Sequence, residues 1–173
     1  DGILQNRILY FIIGKIIDFF RAIPFIILIF MISPMTRAIV GTTIGLRGAM
    51  LPLVIGAVPF VARQIESALS EVDYGLIEAS QAMGCSPLEI IFRVYLKESV
   101  PGIIRATTIT LITLIGYIAM VGAVGGGGLG DFCIRYGYNA FQFDVIYVSV
   151  IVLLLITSLI QGIGNLAIRK TTH

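Results

Sequence analysis

Long apolar runs alternate with short polar breaks along this chain, and the runs are too long for the interior of a small soluble domain. Residues 106–130 and 145–168 contain no charged side chain. Each predicts a helix able to cross roughly 30 Å of hydrocarbon. Residues 22–36 are also free of charge. The helix there is expected to begin near Ile16, with Lys15, Asp18 and Arg21 close to one face, in reach of headgroups or a protein neighbour. Between Arg37 and Arg63 only Arg47 interrupts the apolar run. Pro52 and Pro59 should bend that helix rather than end it, because a bundle satisfies the freed carbonyls. The pattern predicts four crossings, at about 14–33, 48–70, 104–123 and 145–168.

Between the second and third crossings the pattern changes. Residues 73–97 are polar and twice broken, by Gly84 and by Pro87. Asp73 is a candidate N-cap for a helix through about Met83 that Gly84 ends. Leu76, Ala79, Ser80 and Met83 fall on one side of it, with Glu78 and Gln81 pointing elsewhere. Ser86, Pro87 and Glu89 then restart a helix with a capping box and proline at its first position. Leu88, Ile91, Phe92 and Tyr95 form the apolar stripe of this second piece. Arg93 and Lys97 stand four apart with like charge, an arrangement that favours a partner or anionic headgroups to neutralise them.

This corner has three readings: an interfacial connector, an enzyme site using Glu78 or Glu89, or a rigid element seated in a groove of a soluble partner. No histidine, paired carboxylate or activated nucleophile stands nearby, which disfavours the enzyme. Rigid helices transmit displacement better than a floppy loop, which favours the third reading.

Composition agrees with a membrane protein. Of 173 residues, 57% are hydrophobic and 13% charged, and the mean hydropathy is +0.98. A soluble domain carries more charge on its surface. The net charge of +2 is small and scattered, so nothing points to nucleic acid. Cys85 and Cys133 lie far apart in the predicted topology and suggest neither a disulfide nor a metal site.

Even crossings put both ends and the corner in one compartment, with Arg7, Lys15, Arg21, Arg63, Arg93, Lys97, Arg105, Arg169 and Lys170. The other side keeps Arg37, Arg47 and Arg135. The imbalance places the corner in the cytoplasm. Asp1-Gly2 carries no initiator methionine or secretory pattern, so the chain is expected to be a fragment that lacks earlier helices.

The glycine spacings Gly41–Gly45 and Gly122–Gly126 permit close helix approach, although glycine is common in membrane helices generally. Four successive glycines, 125–128, make a poor helix and predict a loop with special backbone angles at the end of the third crossing. No Lys-Ser/Thr follows, so it is not a phosphate-binding loop. Asp131 and Arg135 beyond it read as solvated loop charges.

Glu78-Ala79-Ser80, then Gly84, then Val94-x-Leu96 resembles the cytoplasmic Glu-Ala-Ala loop of permease subunits of bacterial ATP-binding-cassette importers. Ser80 replaces the family's second alanine, and Lys97 its final proline, with Pro101 following later. Phe20–Ile26, Gly56–Arg63, Ile77–Gly84, Ala106–Tyr117 and Gly122–Gly130 are similar to the branch that carries D- and L-methionine. The resemblance runs from about Ile8 to Lys170 and implies an all-α, polytopic bundle of the type I importer class. It spans 1–173 with a coupling loop at about 73–97, and lacks the family's first of five spans.

It further implies a multi-pass protein of the bacterial inner membrane. Its expected assembly is a permease homodimer, two ATP-binding subunits on the cytoplasmic side and an external substrate-binding lipoprotein. ATP and Mg would be used by the partner; this chain would bind no cofactor and perform no covalent chemistry. Glu78, Ala79, Ser80, Gly84, Pro87 and Glu89 would couple to the ATPase. Met50, Phe60, Tyr117 and Met120 are candidates for the pathway or gate, against ordinary helix packing. Thr107, Thr108, Thr110 and Thr113 are the polar groups near that path, so much of the selectivity could rest on the binding protein. An importer for another small amino acid or solute, or an ATP-independent channel or carrier, remains the alternative.

Overall fold

The structure, a computed structural model, describes residues 7–171. Asp1-Gly2, on which the expected truncation was based, and the terminal His173 lie outside the described residues. A backbone in lipid must satisfy its own hydrogen bonds, and the described residues form helices joined by short turns, with no strand among them.

Three helices come first: α1 (Arg7–Ala22), α2 (Phe25–Met31) and α3 (Ser33–Val40). The predicted crossing at 14–33 is therefore not one helix. Pro24 interrupts it with φ −55° and ψ 133°, because its ring removes a donor and disfavours helical geometry in the residue before it. The chain recovers at once, since the Pro24 carbonyl accepts from the amides of Ile27 at 2.9 Å and Leu28 at 3.0 Å.

The long α4 (Gly45–Ser70) continues through Pro52 and Pro59 as expected. After the corner come α8 (Val100–Val121) and, past a glycine turn, α10 (Phe143–Thr171). Among the described residues, α4, the α8 region and α10 are the three helices long and apolar enough to cross a membrane. Pro101 falls in the first turn of α8, where a missing amide costs nothing.

The helix α4 packs against α8 and α1, and α8 packs against α10. The core lies where α2 meets α4 and α8: Phe25, Leu28, Ile29 and Ile32 bury against Ala49 and Val121. Tyr117 of α8 stacks on Phe25 with centroids 4.2 Å apart and rings 8° from parallel.

Close approach occurs at Gly122 as its spacing suggested, where a Cβ would press into the Gly130 carbonyl carbon, but most close packing uses small residues outside those spacings. A Cβ on Gly56 would stand 3.1 Å from the Phe25 ring, and one on Gly102 would stand 3.2 Å from Ala68. Gly164 of α10 abuts Thr108 of α8. By contrast, Gly41 and Gly45 belong to a turn: Gly41 caps α3 and Gly45 opens α4, both at positive φ. The run 125–128 behaves as predicted, with positive φ at Gly125, Gly127 and Gly128. Beyond it the chain is not a loop. It forms α9 (Gly128–Phe132) and a π-helical turn (Cys133–Tyr138), and Arg135 Nε lies 2.8 Å from Asp131 Oδ1.

Filling the α8–α10 contact should be costly. We expect Gly164→Val to destabilise the protein by about 1–3 kcal/mol, read as a lower melting temperature in detergent. Gly162→Ala, where a Cβ meets nothing within 4 Å, should leave it nearly unchanged.

Candidate functional site

The corner between α4 and α8 is built from local caps. In α5 (Tyr74–Ala82), the Asp73 carboxylate accepts from the Gly75 amide at 2.8 Å. The far end closes with Gly84 at φ 79°. There the Cys85 amide donates to the Ser80 carbonyl at 3.1 Å and the Gly84 amide to the Gln81 carbonyl at 3.0 Å. This left-handed closure ties off the last carbonyls of the helix and requires a residue without a Cβ penalty.

Two residues later Ser86 opens α6 (Pro87–Glu89) through the predicted capping box. The Ser86 amide donates to Glu89 Oε2 at 3.0 Å, and its hydroxyl donates to the same oxygen at 2.8 Å. These bonds hold the Glu89 carboxyl below the usual carboxylate range, with Arg93 assisting. One helix thus ends and the next begins across Met83 to Ser86, with the backbone of the bend bonded. A rigid angle results.

The second piece departs from the sequence expectation. After α6 the chain widens into a π-helical turn (Ile90–Tyr95) before α7 (Leu96–Glu98). A π turn adds a residue per turn and so rotates the side chains beyond it about the helix axis. The predicted stripe of Leu88, Ile91, Phe92 and Tyr95 is split. Ile90 is the buried residue, while Leu88 and Phe92 are each 67% exposed. In α5, likewise, Ser80 is buried and its hydroxyl donates to the Leu76 carbonyl at 2.7 Å. Leu76 and Ala79 are exposed beside Glu78, and Met83 is 77% exposed. The free surface of the corner consequently carries Met83, Leu88 and Phe92 among the charges of Glu78 and Arg93. Arg93 also lies 3.9 Å from Glu89 one turn back while staying largely exposed.

The base of the corner is pinned to the spans. Arg105 of α8 lies 3.1 Å from Glu71, just beyond the end of α4, and Gly102 of α8 rests on Ala68 of α4. A second set of contacts ties α1 to the same end of α4: Arg63 bonds Asp18 at 2.6 Å and Glu66 at 2.7 Å. The Tyr10 hydroxyl donates to Glu66 at 2.5 Å. The protein neighbour expected for Asp18 is thus α4 of the same chain.

The pathway candidates are not gathered in one place by this chain. Met50 and Met120 are exposed, Phe60 is half-buried, and Tyr117 is fixed on Phe25. The hydroxyls of Thr107, Thr108, Thr110 and Thr113 all donate to carbonyls one turn back at 2.8–2.9 Å. As donors they are spent within α8.

A lipid-spanning bundle with a capped corner pinned between two of its spans defines an integral-membrane subunit of the all-α transport class. The chain belongs to the family described as Binding-protein-dependent transport system inner membrane component, which matches residues 2–170, and it is a multi-pass inner-membrane protein. A relative from Vibrio cholerae, the probable D-methionine transport system permease protein MetI, is 48% identical over the whole chain and 77% of its own length. The corresponding Haemophilus influenzae protein is 44% identical over the whole chain and 81% of its length. Among solved structures, an inward-facing MetNI methionine ABC transporter superposes with a TM-score of 0.91 at 48% identity. That match covers 99% of this chain and 79% of the other.

The capping box has a pH signature. Glu89 is held below its ordinary value of 4.5 by bonds from Ser86. Its contribution is thus complete above that value and is lost as pH falls through the lowered folded value. Hydrogen exchange at residues 88–92, corrected for intrinsic rates, should speed up on acidification across that range. Ser86→Ala should speed it already at neutral pH, by about fivefold for a cap worth about 1 kcal/mol.

Proposed function

We propose that this chain is the permease subunit of an ATP-binding-cassette importer for methionine, in both D and L forms, and that residues 75–92 receive the power stroke. The observation that carries this reading is the rigid corner, outside the spans and pinned to α4 and α8, in a chain that aligns along its length with MetI permeases. A second permease copy completes the translocation path. Two ATP-binding subunits sit beneath, and an external lipoprotein delivers the solute. ATP and Mg act in the partner; the permease binds no cofactor and catalyses no covalent step.

In this mechanism each part of the corner has a task. Glu78 makes a polar contact with the ATPase, and Ala79 lets the two surfaces approach. Ser80 braces the inner side of α5, Gly84 sets the turn, and Pro87 with Glu89 fixes the start of the second helix. Met83, Leu88 and Phe92 supply the apolar contact, in keeping with their exposure on a surface outside the spans. Closure of the ATPases drives the two corners together. Because Gly102 packs on Ala68 and Arg105 reaches Glu71, that movement passes to α4 and α8 as a rigid displacement. Met50, Phe60, Tyr117 and Met120 are the pathway or gate positions on those two helices. Substrate choice rests chiefly with the external binding protein, since the α8 threonines already donate to their own backbone.

Gly84 gives a sharp test. A Cβ there would meet nothing within 4 Å in this chain, so a larger side chain obstructs the partner rather than the permease. Gly84→Ala should cost only left-handed strain of about 1–2 kcal/mol and keep most transport. Gly84→Leu should abolish ATP-driven methionine uptake in proteoliposomes containing the ATPase and binding protein. Normal uptake by the leucine variant at equal membrane level would remove the corner from the coupling path.

A further inference from the structure

At the end of the bundle opposite the corner lies a cleft of about 440 Å³, between the α2–α3 region, the start of α4 and the turn after α8. Its floor is apolar, with Ile29, Phe30, Ile44 and Val124, and Ser33 and Thr43 stand on its rim. A neighbouring hollow shares Ser33 and Thr43 and adds Arg37. The two form one trough with an apolar floor and a cation at its mouth.

Some polar side chains elsewhere in this protein are spent on partners, while others, such as Glu78, Lys97 and Asp144, are free among the described residues. Thr36, within the same cleft, bonds the Ile32 carbonyl at 3.1 Å, and Arg63, Arg93, Arg105 and Arg135 each reach a carboxylate. Ser33, Arg37 and Thr43 line this trough together, and within the described residues none of them makes a side-chain hydrogen bond or ion pair. Three unpartnered polar groups thus border one apolar trough.

Its position sets the kind of ligand. The start of α4 at Gly45 and the end of α8 at Val121 put the trough where the spans leave the hydrocarbon, the level of lipid phosphates. Phe30 and Ile44 are 63% and 70% exposed, so the floor is open to an acyl chain. The charge nearby is positive. Arg47, in the first turn of α4, is exposed and has no partner among the described residues. On the far wall Arg135 comes within 4.0 Å of a Cβ position on Gly125 while bonded to Asp131.

We infer that this trough binds one anionic phospholipid, with its phosphate against the Arg37 fork and the Ser33 and Thr43 hydroxyls, and an acyl chain over Phe30 and Ile44. The inference rests on the membrane placement of the chain and not on the identity of the transported solute. An amino-acid carboxylate or inorganic phosphate offers similar oxygens without the chain, so the test separates these sources.

The chain contains no tryptophan, so Phe30→Trp places a reporter on the trough floor. The full permease–ATPase complex carrying it, corrected for the same complex without it, would be reconstituted in phosphatidylcholine vesicles containing brominated phosphatidylglycerol or brominated phosphatidylcholine. Quenching should favour phosphatidylglycerol by about fivefold, the preference expected of one interfacial arginine. Arg37→Gln should erase that preference, and Arg37→Lys should keep part of it. Equal quenching by the two lipids, which needs no further variant, would overturn the site. So would a preference that survives Arg37→Gln, or relief of quenching by millimolar methionine or inorganic phosphate.

Discussion

The contact between α4 and α8 at the corner end of the bundle governs the rest of this molecule. There Gly102 lies against Ala68, so close that a Cβ would already press on it, and Arg105 and Glu71 close the same junction from outside. The ion pair is half-exposed and contributes little on its own. Its value is geometric, since it fixes both entry and exit of the segment between the two helices. With those ends held and the bend capped on each side of Cys85, the corner has little freedom to move independently of the spans. A push on it becomes a push on α4 and α8.

The same physical economy appears along the spans. Lipid offers no hydrogen bonds, so hydroxyls inside the bundle turn to the nearest carbonyl. The α8 threonines and Ser149 do this one turn back along their own helices. Helices then associate through fit rather than through polar contacts. Gly164 against Thr108 and Gly56 beneath Phe25 bring the backbones together, while Phe25 and Tyr117 fill the centre. Much of the remaining apolar surface, on α10 above all, faces outward, as expected for a subunit surrounded by lipid and protein neighbours.

Polar groups left without such a partner are correspondingly informative. At the corner, Glu78 stands with the exposed Met83, Leu88 and Phe92 on a surface outside the spans. At the other end, Arg37 with Ser33 and Thr43 borders an apolar trough at headgroup depth. The two surfaces differ in chemistry: one mixes apolar side chains with charges of both signs, the other sets a cation beside an apolar trough.

The sequence by itself determined the features that depend on neighbours along the chain. Span length follows from apolar runs, so α4, α8 and α10 were legible, as was the passage of α4 through its prolines. Caps act over three or four residues. Asp73, Gly84 and the Ser86–Glu89 box could therefore be read directly, as could the positive φ values in the glycine run. Even the family motif is local. Tertiary structure decided the features that depend on distant segments or on the number of residues per turn. The break at Pro24 belongs with these, because whether a bundle bridges a proline or lets the chain bend is settled by the groups packed there: α4 continues past two prolines while the first predicted crossing does not survive one. The π turn at Ile90–Tyr95 departs from the 3.6-residue period, and Leu88 and Phe92 are exposed while Ile90 is buried, an arrangement that no periodicity of 3.6 could foresee. Asp18 with Arg63, Glu71 with Arg105 and Gly164 with Thr108 join residues remote in sequence. Their pairing exists only once the helices have chosen which faces to press together.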